Sequence, residues 1–165
     1  MHRVALTLGA ALCVVNAPVL NAQEVTERQF GAWTAIHTRD VMTDSIKGRN
    51  LRGYSTASPG MLQVVCGTSR SAILLWAMGA GGEGSQIRVR FDDDPPMAPE
   101  TWQFGGDPAR PVFSPQVSEN EGLLLLARAK SRMAIEVAHP DVTARYLFDL
   151  RGLSRALAFL DCPLK

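Results

Sequence analysis

The side chains most able to do chemistry in this chain are two distant cysteines, Cys66 and Cys162, a run of three aspartates, Asp92-Asp93-Asp94, and two histidines, His37 and His139. Two thiols far apart in sequence, outside any CxxC spacing and without a zinc ligand set, point to a disulfide in an oxidising compartment. On the chain-entropy model a closed loop of roughly a hundred residues stabilises a domain by about 4 to 5 kcal/mol. The aspartate run offers several hard oxygen ligands, but its spacing does not match an EF-hand, and successive residues at a strand end diverge; a solvated turn is the expectation and no metal site is assigned. His37 and His139 could serve a triad or dyad, yet no serine stands in a GxSxG elbow, and a histidine beside a turn proline is ordinarily a surface residue. No catalytic residue and no cofactor is assigned.

Arg88 and Arg90 alternate with Ile87, Val89 and Phe91, so they share the wet face of one strand that ends at Asp92. Cross-strand ion pairing is the ordinary use of such a stripe; recognition is the other. Arg88, Arg90, Asp92, Asp93 and Trp102 form the expected partner-binding set. For Trp102 sheet packing is the first reading and partner contact the second, while Trp76, inside an apolar strand, is assigned to the core. Gly79 to Ser85 holds four glycines. It lacks the Lys and Ser or Thr of a phosphate loop and is read as a turn.

These residues need a frame. His2 and Arg3 precede an apolar run from Val4 to Val15, and Ala22 ends a plausible cleavage site, so residues 1–22 are read as a signal peptide and 23–165 as one β-rich domain. The run is too short for a stable bilayer anchor. The expected location is periplasmic or secreted. The chain carries 17 Lys plus Arg against 16 Asp plus Glu, and losing Arg3 with the leader equalises them, which argues against nucleic acid as a partner. A protein partner is expected. Oligomeric state is not legible.

Along the domain, Gln23 to Gln29 reads as a polar entry and Phe30 to His37 as an opening strand. Asp40 to Arg49 reads as a connection, followed by a short strand over Leu51 to Tyr54. Met61 to Cys66 and Ser71 to Met78 form a buried hairpin. Thr101 to Phe104 and Val112 to Ser114 are short strands. Ser118 with Glu121 reads as a capping box opening a helix through about Lys130. Met133, Ile135 and Val137 alternate against Ala144, Tyr146 and Phe148 across the His139-Pro140-Asp141 turn. Leu153, Ala156, Leu157 and Leu160 give the apolar stripe of a last helix, with Asp149 as its cap. The expected fold is mainly β (α+β), an antiparallel sheet or sandwich with a short late helix and a C-terminal helix packed on it, stapled by one disulfide.

The run RVRFDDDPPMAPETWQFGGDPARPVF, with Phe148-Asp149-Leu150-Arg151-Gly152-Leu153 and Cys162 behind it, resembles the VasI-like family of type VI secretion accessory proteins. Gly31-Ala32-Trp33, Met42-Thr43-Asp44 and Cys66 extend the likeness over nearly the whole mature chain. The resemblance implies a periplasmic β-rich accessory protein and carries over no catalytic residues. The functional expectation is an exported, non-enzymatic binding or accessory protein acting through protein contacts. The alternatives are a periplasmic inhibitor or ligand-binding domain and, behind it, a small hydrolase.

Overall fold

Period-two alternation runs through most of the chain, and in the computed structural model, which describes residues 23–107 and 109–164, it resolves into two antiparallel sheets. The expected leader lies outside the described residues. The larger sheet is built from β1 (Gln23–Phe30), β2 (Trp33–Asp40), β3 (Ile46–Tyr54), β4 (Gly60–Cys66) and β5 (Ser71–Ala77) as a meander, continued by β9 (Arg110–Ser114) and β8 (Gln103–Asp107). The smaller sheet has the order β11 (Val142–Asp149), β10 (Arg132–His139), β6 (Gln86–Phe91), β7 (Glu100–Thr101). Among the described residues two short helices, α1 (Val117–Arg128) and α2 (Leu153–Phe159), accompany the sheets.

One hydrophobic core is drawn from both sheets and both helices. Ile87, Val89 and Phe91 face inward with Met133, Ile135, Val137, Tyr146 and Phe148, opposite Leu51, Leu62, Val64, Ile73, Leu75 and Phe113 of the larger sheet. Burying each such side chain contributes about 1.5 to 3 kcal/mol, which makes the strand phases hard to slip. Trp33 is fully buried and donates its indole N–H to the Asp149 carbonyl at 2.9 Å, tying the first buried strand to the end of β11.

The expected disulfide forms. Cys66 closes β4 and Cys162 follows α2, with Cα atoms 5.1 Å apart and a sequence separation of 96. Beside it the Arg49 guanidinium donates to the carbonyls of Leu160, Asp161 and Gly67 at 3.2, 2.8 and 2.6 Å. The end of α2 is therefore held covalently and by a cation on its last carbonyls, which the helix dipole favours.

Four local expectations are corrected. Gln23 to Gln29 is strand, not a polar lead-in: β1 is an edge strand, and with side chains exposed it has no apolar face to announce it. The segment read as a connection after Asp40 is shorter, because β3 begins at Ile46. Trp76 is not core, since Leu75 and Ala77 take the inward positions; it is half-buried on the outer face and donates to Gln63 Oε1 at 3.0 Å. Neither helix has its expected side-chain cap: α1 starts behind Gln116, and α2 starts behind Gly152 at φ 96°, while Asp149 accepts from Arg151 instead.

Candidate functional site

The five residues expected to bind a partner divide between two faces of the small sheet. Arg88 and Arg90 project from the outer face of β6, in register with Glu136 and Ala134 of β10 and through them with Arg145 and Leu147 of β11. Glu136 accepts from Arg145 at 2.8 Å and pairs with Arg88 at 3.7 Å, so one carboxylate sits between two guanidiniums. Arg90 and Arg132 share Asp93, at 3.6 and 3.1 Å. These exposed pairs are each worth about 0 to 1 kcal/mol.

The three aspartates each have separate protein partners. Asp92, at φ 44°, accepts from the Ser131 hydroxyl at 2.6 Å and from the backbone N–H groups of Ser131 and Arg132, which pins the turn after β6 to the start of β10. The Ser131 hydroxyl, chiefly, and these N–H donors hold its carboxyl below the usual range. Asp93 takes the two arginines, and Asp94 takes Lys130 at 2.6 Å. Among the described residues no group of three or more His, Cys, Asp and Glu side chains is placed to hold a metal ion.

The histidines lie in different sheets. His37 on β2 stacks on Phe159 of α2, ring centroids 5.3 Å apart, with Nε2 buried and without a hydrogen-bond partner. Burial, then the charges of Arg49 and Arg39, push its pKa down. His139 ends β10 with Asp141 3.8 Å away.

Trp102 lies on the inner side, 4% exposed, and forms part of a groove that no single motif announces. Its walls are α1 and the segment covering the edge of β6. Met97 N–H donates to the Val89 carbonyl at 2.8 Å and Glu100 pairs with Ile87, so the chain from Met97 to Thr101 runs along β6 with Trp102 behind it. Ile87, Val89, Trp102, Leu123, Leu126 and Met97 line a cleft of about 500 Å³. That volume suits a small ligand or one or two side chains. Its charged lining residues are both acidic, Glu100 and Glu119. Leu125 and Leu126 stay 45% and 46% exposed beside it, more apolar surface than a solvated helix face needs. Gly122 opens the helix wall, for a Cβ added there would meet nothing within 4 Å. The four-leucine run from Leu123 to Leu126 was the sequence signal: a helix buries about half its circumference, so leucines at four successive positions must leave some outside.

Comparison with known proteins defines the fold and stops there. No family model matches the chain, and no curated protein matches it in sequence, so the resemblance to VasI-like proteins rests on the motifs alone. Among solved structures, the crystal structure of invasion associated protein B from Bartonella henselae is similar, with a TM-score of 0.58 and 13% identity over 82% of this chain and 96% of that one. At that identity the likeness is one of architecture.

Proposed function

We propose that this chain is an exported, non-enzymatic binding protein that holds an apolar segment of a partner protein in the groove beside α1. The observation that carries the reading is the groove itself, an open apolar cleft with exposed leucines on its rim and carboxylates as its charged lining. Apolar anchors in a cleft supply most of the binding energy of such contacts, while the acidic rim favours a segment bearing Lys or Arg. The disulfide supports residence outside the cytoplasm, and among the described residues no helix is long and apolar enough to cross a membrane. A periplasmic role as an accessory of a type VI secretion apparatus is the narrower form, supported by the motifs around Arg90-Phe91-Asp92-Asp93 and Phe148-Asp149-Leu150. Loss of effector release on deleting the gene would support that form; unchanged release would remove it.

The binding reading is tested by filling the cleft. Gly122→Leu adds a side chain into open space and a better helix former, so it should keep or raise the melting temperature while blocking capture. A photo-crosslinker at Leu125 should label a discrete exported partner in the parent protein and lose that product in Gly122→Leu. Equal labelling in both would overturn the proposal.

A further inference from the structure

We infer that β1 is a self-pairing edge: two copies join antiparallel through this strand about a two-fold axis at Thr26. β1 is the outermost strand of the seven-stranded sheet, and its side chains from Gln23 to Gln29 are exposed. It contains neither proline, lysine nor bulge, its charged residues being Glu24, Glu27 and Arg28, and it pairs with β2 without interruption from Gln23 with Asp40 to Phe30 with Trp33.

The phase of the free edge follows from the turn. Gly31 (φ 62°) and Ala32 form a two-residue connection, and the residues flanking such a turn, Phe30 and Trp33, exchange backbone hydrogen bonds. Phe30, Arg28, Thr26 and Glu24 thus use their N–H and C=O groups on β2. Gln29, Glu27, Val25 and Gln23 direct theirs outward. An incoming antiparallel strand must set outward-directed residues against outward-directed residues, which limits a symmetric pair to axes passing through a residue.

Charge selects among those axes. An axis at Glu27 sets two glutamates against each other, one at Arg28 sets two arginines, and one at Val25 shortens the ladder. With Thr26 on the axis, Glu24 faces Arg28 of the second copy, Arg28 faces Glu24 of the second copy, Gln23 faces Gln29, and Val25 faces Glu27. Opposite charges directly across an antiparallel pair stabilise it and like charges destabilise it. Arg28 is held on the same face as Glu24, its guanidinium carbon 5.2 Å from the Phe30 ring centre and 5.3 Å from that of Phe159. Both ion pairs therefore form on the side that carries α2.

Thr26→Cys tests the axis. In a non-hydrogen-bonded antiparallel pair the two Cα atoms lie about 4.5 Å apart, within disulfide reach. Under mild oxidation Thr26→Cys should give a covalent dimer, while Val25→Cys, one residue along on the other face, should not. Sedimentation equilibrium should show a concentration-dependent dimer that Glu24→Lys and Arg28→Glu each weaken about tenfold. The double variant Glu24→Lys/Arg28→Glu should restore it. A monomer at every concentration, equal cross-linking from both cysteine positions, or a dimer indifferent to the charge reversals would overturn the inference.

Discussion

The Asn120 side-chain oxygen accepts the backbone N–H of Ile73 at 2.7 Å, from a buried position on α1. β5 pairs with β4 along its length, but with β9 only at Leu75 and Trp76, so Ile73 has no strand on that side. The Asn120 amide nitrogen completes the arrangement by donating to the carbonyls of Pro115 and Gln116 at 3.1 and 3.3 Å. One side chain stands in for a missing ladder bond and ties the helix start to the sheet. Asn120→Ala leaves a buried N–H without a partner, and chemical denaturation should record a loss of about 1 to 3 kcal/mol. A change within 0.5 kcal/mol, roughly the scatter of surface substitutions, would show that water takes the place of the amide.

The disulfide and Arg49 hold the same end of α2. Cys66→Ser/Cys162→Ser should lower stability by about 4 kcal/mol through freedom returned to the unfolded chain. Adding Arg49→Met should then raise amide exchange selectively in α2. Uniform exchange throughout the domain would mean that α2 does not open as a separate unit.

Gly31 and Gly152 back onto each other where the first turn meets the start of α2. A Cβ on Gly152, whose φ is 96°, would collide with the Phe30 carbonyl, and one on Gly31 with the Arg151 carbonyl. Gly84, at φ 79°, has open space around it. Gly152→Ala should therefore cost at least about 2 kcal/mol, whereas Gly84→Ala should cost about 1 kcal/mol from backbone conformation alone. Equal thermal shifts for the two variants would contradict the contact.

His37 should make stability depend on pH below 6.5. Its pKa in the folded protein lies below the ordinary 6.5, because burial against Phe159 and the nearby Arg49 and Arg39 disfavour the imidazolium. Between 6.5 and that lower value the unfolded chain binds more protons than the folded one, so stability is full above 6.5 and falls as the pH drops through this window. His37→Phe keeps a ring against Phe159 and removes the titration. Melting curves should show the parent losing stability as the pH falls below 6.5 and the variant holding level until the carboxylates protonate. Parallel curves would discount His37 as the source.

Legibility from sequence followed the range of the interaction. Ile87, Val89 and Phe91 against Arg88 and Arg90 declared an inward and an outward face because strand geometry is local, and the facing alternation of Met133 to Val137 and Ala144 to Phe148 declared a hairpin for the same reason. The apolar stripe from Leu153 to Leu160 and the pairing of Cys66 with Cys162 were likewise readable, the latter because only two thiols follow the expected leader.

Alternation states that a strand has two sides; it does not state what covers each. Trp76 therefore sits in an apolar run yet takes the outward phase, while Trp102, set among glycines and prolines, is buried under α1 and the β6 edge and lines the groove there. β1 escaped notice because an edge strand exposed on both faces needs no hydrophobic pattern, and the Asn120 contact spans 47 residues with no periodic trace. Residue spacing along the backbone thus determined strand faces, the last helix and the staple. Only tertiary packing decided which faces remain open, because an open groove or a free edge depends on where distant segments stop covering the sheet.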